Sequence, residues 1–508
     1  MAAGNLASRP YAAAAESAYA HRPTSSDSFV REAEAALAVF RQGCNYGGRR
    51  RGQLHPSARL KRLVFNLDED VYRAARPYWM VRDDDHDDDR VCGLALAHPA
   101  ASQLEQLVIS CESRGFCHRP RLESLRCADT LRLLDLKHCN LDPRSSRRSA
   151  SFALPRLTDL LLHHCVIAEG YLQVLVEAAM ALANLEMKNV RHKMSGQPDS
   201  AARFTLRLRL RCPTLTAFVL YNSDCYWDLG EDAFANGSIE LDMPSLRTFR
   251  YDGFQLKLSL TSPTPALEQT DLRISNFHMK QCEPVSRILR SFASTRGLTL
   301  RNQNTEDIEE GDILPTFPNL KILVLDGCYK DTNNDAASAM ARLLSSCPVI
   351  SELRLSFSPM TMTWNDWGSK KNPPGLAFRE SMDRFKRFAP MDDSVQGSNN
   401  VGACNEISEL TALSSSCTLS CLRKVTLRFE ANQLNCFPVQ LAKFLAENAM
   451  DLEEMHVADG SQFWGDHVYN NVSRWRADSF RRKNLTDTGR LQVYYLLDGY
   501  SPRSSNDI

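Results

Sequence analysis

The chain has 508 residues, enough for one large core or several ordinary ones. Hydrophobic residues make up 43% and charged residues 24%, which excludes a disordered or fibrous protein. Lys plus Arg equals Asp plus Glu at 61 each, which argues against a non-specific nucleic-acid binder. No apolar run approaches the ~20 residues that span a bilayer, so no transmembrane helix is expected.

In chain order, the first segment is a leader over 1–27, read as disordered. It contains no apolar stretch of signal-peptide type, although its Ala- and Ser-rich, acid-poor composition also resembles a transit peptide. Sixteen cysteines are present, but no CxxC, so the spacing suits neither a zinc site nor a disulfide framework. The thiols are expected to be reduced, and the compartment cytoplasmic or nuclear.

From Leu60 onward one phrase recurs: an apolar residue at i, another at i+3 and another at i+5. It reads Leu60, Leu63, Phe65, then Leu104, Leu107, Ile109, then Leu131, Leu134, Leu136. Copies follow from Leu157, Leu182, Leu215, Leu246, Leu320, Ile350, Leu422 and Leu452, with weaker ones at Leu267/Leu272 and Leu298/Leu300. The stretches Leu131–Leu141 and Leu157–Ile167 fit L-x-x-L-x-L-x-x-C-x-L, the leucine-rich-repeat pattern with Cys at the turn. The i+3 and i+5 residues alternate along a strand and point into a core. Cys139, Cys165 and Cys328 then read as buried, reduced and metal-free packing residues. A proline lies two residues before the anchor at Pro155, Pro213, Pro244, Pro265, Pro318 and Pro348, which stops each element before the next strand.

This periodicity predicts an α/β leucine-rich-repeat solenoid, with parallel strands on the concave face and helices or loops on the convex face. The expected organisation is a solenoid over 28–356 with an acidic loop at 83–89, a long, partly disordered insertion at 357–406, last repeats at 407–460 and a C-terminal tail at 461–508. The run Asp83–Asp89 lacks the Gly and Glu of a calcium loop, since Asp88 and Leu94 occupy those places, and it reads as a solvated loop. His163-His164-Cys165 is read as exposed histidines around a buried Cys, because adjacent strand residues point to opposite faces. No phosphate-binding, metalloprotease or serine-hydrolase motif is present, so the chain reads as no enzyme, with no metal or cofactor. A solenoid of this kind offers a binding surface. Its concave-face candidates are Lys137, His163, Lys188, Tyr221 and Asp252.

Ser28–Gly43 resembles the segment that follows the F-box in plant F-box/leucine-rich-repeat proteins. Leu122–Leu141 is similar to their next block, and LPRLTDLLLHHCVI and LLSSCPVISELRL resemble their repeats. Leu422–Val457 is similar to the FBD segment that closes many of them. The resemblance implies the substrate-recognition part of an SCF ubiquitin ligase, with an unknown protein target. The alternative is an F-box-less scaffold or competitor that binds a target without ubiquitination. The Skp adaptor and cullin are expected partners only through an F-box in the full gene product. Residues 1–27 show no LP-x-[DE]-[LIV] opening, so the 508 residues as written are expected not to bind that adaptor. Neither nucleic acid nor membrane is an expected partner.

Overall fold

The computed structural model describes residues 17–19, 61–67, 96, 99–111, 120, 122, 125–141, 152–168, 170–193, 207–221, 237–275, 284–302, 314–329, 333–359, 419–429, 437–459, 463–485 and 491–495. The chain divides into two compact units, Met1–Leu246 with Thr261–Pro263, and Arg247–Leu260 with Thr264–Ile508.

The first unit is built on a parallel sheet. Its strands are β1 (Ser17–Tyr19), β2 (Arg62–Leu67), β3 (Gln106–Cys111) and β4 (Leu133–Lys137), then β6 (Asp159–His163), β8 (Asn184–Lys188) and β11 (Ala217–Tyr221). Each pairs in parallel with the one named before it. A second, narrower ladder joins β5 (Asn140–Leu141), β7 (Val166–Ala168) and β9 (Arg191–Lys193). β10 (Arg207–Arg211) pairs with β12 (Ser238–Asp242) apart from both. Helix α1 (Tyr171–Ala178) provides one return between strands.

The recurring phrase sets the register. Leu134, Leu160, Leu185 and Phe218 are Cα partners across consecutive strands, and all four are buried, as the periodicity predicts. Leu136, Leu162, Met187 and Leu220 form the second buried column. The anchors Leu131, Leu157, Leu182 and Leu215 seal the layer beneath them. The prolines have a more specific role than stopping an element. The N–H of Leu157, Leu215, Leu246, Leu267, Leu320 and Ile350 each donates to the carbonyl three residues back, which places the proline in the turn between. Proline's fixed φ suits the first central position of such a turn.

The second unit repeats the plan. Its sheet runs β13 (Thr248–Phe254), β15 (Gln269–Ser275), β16 (Gly297–Asn302), β17 (Ile322–Tyr329), β18 (Glu352–Pro359), β19 (Lys424–Phe429), β20 (Glu454–Asp459) and β21 (Gln492–Tyr495), all parallel. β14 (Lys257–Leu260) lies beside α2 (Val285–Arg290), where the Ser291 hydroxyl donates to the Leu258 carbonyl at 3.3 Å. The longer returns are α3 (Asn333–Ser345), α4 (Phe437–Asn448) and α5 (Phe463–Arg482). None of the described helices is long and apolar enough to cross a membrane.

Three sequence expectations change here. Residues 461–508 are not merely a tail, because α5 and β21 add another repeat. Val468, Val472 and Trp475 form the buried stripe of α5, interrupted by the buried polar residues Arg476 and Ser479. Those polar groups satisfy the carbonyl end of α4. Arg476 donates to the Ala449 and Met450 carbonyls at 3.0 and 2.7 Å, and Ser479 to that of Glu447 at 2.8 Å. Within the leader, Ser17–Tyr19 is a strand held by backbone pairing to β2, which needs no apolar phrase. Cys328 is not at a turn, because β17 continues through it and pairs it with Ser358. The acidic run 83–89 and nearly all of 357–406 lie outside the described residues.

The weak copies have a physical explanation. Thr270 stands where a leucine would fill the i+3 column of β15, and Thr295 stands at the next anchor. Both are buried, and the Thr270 hydroxyl donates to Thr295 Oγ1 at 3.1 Å, which in turn donates to the Gly297 carbonyl at 2.9 Å.

Two predictions follow from this packing. Leu160→Ala should cost ~2–5 kcal/mol in urea unfolding, because the ladder cannot collapse around the cavity. Thr295→Val should cost ~1–3 kcal/mol by leaving the Thr270 hydroxyl buried without an acceptor. Adding Thr270→Val should recover most of that loss. A double-mutant cycle by urea unfolding reads both, and strictly additive losses would show that the hydroxyl pair is not coupled.

Candidate functional site

The alternation that buries one set of strand residues exposes the other. Because the strands are in register, exposed residues also line up in rows. The last row of the first unit runs Ser110, Lys137, His163, Lys188 and Tyr221, each the Cα partner of the next. Four of the five candidates thus form one contiguous line on consecutive strands. Asp252 lies on β13 of the second unit. There it is the Cα partner of Arg273, whose guanidinium is 3.5 Å from its carboxylate. Burial pushes the Asp252 carboxyl up, against the opposing pull of Arg273.

A second row beneath the first holds Val108, Asp135, Leu161, Glu186 and Val219. Its two carboxylates anchor the cations above. Lys137 Nζ is 3.5 Å from Asp135, and Glu186 Oε1 contacts both His163 Nε2 at 3.2 Å and Lys188 Nζ at 2.5 Å. The His163 hydrogen bond, followed by Lys188, outweighs burial and holds the Glu186 carboxyl down at about 2. Lys188 Nζ also lies over the Tyr221 ring, 5.4 Å from its centroid. At such a distance a cation is attracted to the ring face.

The turns after the strands complete the site. His138, His164 and Asn189 follow β4, β6 and β8 with φ of 53°, 53° and 52°. Their N–H groups donate to the carbonyls of His163, Lys188 and Tyr221 on the next strand. Asn and His are among the residue types that tolerate this left-handed region best. Cys139 and Cys165 come next. Both side chains are buried, and Cys165 Sγ donates to the Leu136 carbonyl at 3.2 Å. The left-handed turn overturns one sequence expectation: His163 and His164 do not diverge. His164 stacks on His138 with ring centroids 4.7 Å apart and planes 6° from parallel. Burial, helped by the adjacent His164, lowers the His138 pKa. Ser110, Cys111, Lys137, His138, His163, His164 and Lys188 together line an open hollow of about 370 Å³. The sequence contained a signal for this convergence, since His138 and His164 occupy the same place in two copies of one phrase.

Among the described residues no group of three His, Cys, Asp or Glu side chains could hold a metal. The arrangement can orient hydrogen-bond donors and cations toward a ligand.

The ion pairs make a pH prediction. The Glu186 carboxyl is depressed on folding, so its stabilisation is full above the unfolded value of ~4.3 and disappears as pH falls through about 2. Lys188→Gln should therefore cost up to ~1 kcal/mol at neutral pH, as expected for a half-exposed pair. That difference from the parent should shrink between those two pH values when urea unfolding is followed against pH.

Residues 94–236 match the family model described as FBD-associated F-box protein At5g56370, LRR repeats. No curated protein matches the chain. The matched span contains β3 to β11 and so includes the whole row from Ser110 to Tyr221. Over residues 94–236 the chain is therefore similar to the leucine-rich repeats of FBD-associated F-box proteins, a likeness that fits the parallel solenoid and suggests a protein-interaction role.

Proposed function

We propose that this chain is the target-recognition part of an SCF ubiquitin ligase, acting in the cytoplasm or nucleus. The observation that supports it most is the in-register row of polar and cationic side chains, held outward by a fully buried ladder. That row lies within the segment matching repeats of an F-box protein type. In this reading the chain itself catalyses nothing. Ubiquitin transfer belongs to other subunits, and the adaptor and cullin are engaged through an F-box. The target is a protein, because a rigid surface of many short rows suits the extended contact of a protein interface.

The test is to express the chain fused to an F-box and to measure cellular protein abundance with and without proteasome inhibition. The expected outcome is a small set of proteins that fall with the fusion, recover under inhibition and do not fall with a Tyr221→Ser fusion. Losses indifferent to Tyr221→Ser, or no losses at all, would remove target recognition by this face.

A further inference from the structure

The proposal deepens the reading of the strand face as a protein-binding surface, and rests on it. Four members of the terminal row can donate a hydrogen bond to a ligand: the Ser110 hydroxyl, the Lys137 ammonium, the Lys188 ammonium and the Tyr221 phenol, whereas His163 already meets the Glu186 carboxylate through Nε2. Neighbouring strands are about 4.8 Å apart, so Lys137 and Lys188 flank His163 with roughly 10 Å between their Cα atoms. Their side chains are 39% and 43% exposed, whereas that of His163 is 18% exposed. The carboxylates lie one row below. An ammonium has three donors, and one carboxylate contact does not exhaust them. Asp135 and Glu186 therefore steady the two cations from beneath while the donor row faces the opening. The stacked His138 and His164 rings also line the hollow.

We infer that the hollow bounded by Lys137, His163 and Lys188 receives an acidic side chain from an extended segment of the protein partner, held between the two ammoniums. The complementarity is one of charge and of donor to acceptor. A carboxylate accepts at two oxygens and offers no competing donor. The ammoniums are already oriented by Asp135 and Glu186, so less side-chain freedom is lost on binding than for unrestrained lysines. An apolar or basic segment at this place would strip water from the donors and return nothing.

The experiment uses the full 508-residue chain and two labelled peptides, an alternating Glu-Gly repeat and its Gln-Gly counterpart, read by fluorescence anisotropy at low salt. The glutamate peptide should bind and the glutamine peptide should not. The Lys137→Gln/Lys188→Gln double variant should weaken binding about tenfold or more, since each lost charge–charge contact counts strongly at low salt. Lys424→Gln, which removes a cation from β19 of the second unit, should change it less than twofold, and Lys137→Arg/Lys188→Arg should largely preserve it. Circular dichroism confirms that each variant is folded. Equal binding of the two peptides, or equal loss from Lys424→Gln, would overturn the proposal. A parent that fails to bind while a variant with Asp83–Asp89 changed to Asn binds would assign the row to the chain's own acidic run, and would also overturn it. If the peptide fails but Tyr221→Ser still protects the targets of the F-box fusion, the protein-binding reading survives and only the acidic chemistry falls.

Discussion

The structure depends on one constraint, the parallel register of strands most of which contribute two buried apolar residues. A single repeat of this kind cannot remove its apolar face from water, and stacking supplies the missing surface. In the first unit the columns through Leu160 and Leu162 run unbroken to Phe218 and Leu220. In the second, the column from Leu323 runs through Leu353, Val425 and Met455. A one-residue slip would turn every buried leucine outward, so the register is fixed strongly. The exposed rows inherit that precision. Lys137, His163 and Lys188 have no need of one another for folding, yet the leucines beside them hold all three in line.

The buried columns were legible in the sequence because burial demands the same residue class at the same interval. The exceptions were less legible because they satisfy the same constraint by other chemistry. Thr270 and Thr295 replace two leucines in adjacent repeats, and each makes the other tolerable. Neither substitution makes sense within a single repeat. The last repeat was missed for a related reason. β21 offers Val493 and Tyr495 to the two columns, but Arg490 stands where the anchor leucine is expected. The stripe of α5 carries Arg476 and Ser479, polar residues placed there to meet the carbonyl end of α4.

The site was half legible. Strand alternation placed all five candidates on the concave face, and the structure joins four of them in one row. Alternation failed one residue later, at His164, because the chain leaves the strand through a left-handed residue. Three successive repeats make that turn at His138, His164 and Asn189. Two of them bring imidazoles into contact, an arrangement that spacing within one repeat could not reveal.

The two units treat charge on their strand faces differently, and the difference bears on what each can bind. In the second unit, opposite charges sit on the same row in the pairs Arg250/Asp271 and Arg273/Asp252 and neutralise one another across strands, and Arg301 joins them from the row of Arg273. Arg250 and Arg301 both approach the Asp271 carboxylate, at 3.5 and 3.7 Å, and Arg273 approaches Asp252. A charged ligand there must displace an existing pair, which costs about what it gains. In the first unit the carboxylates of Asp135 and Glu186 lie one row beneath the cations they orient. The cations can then add an outer partner without losing the inner one. Selectivity along such a surface arises from where its ion pairs are closed and where they remain open on one side.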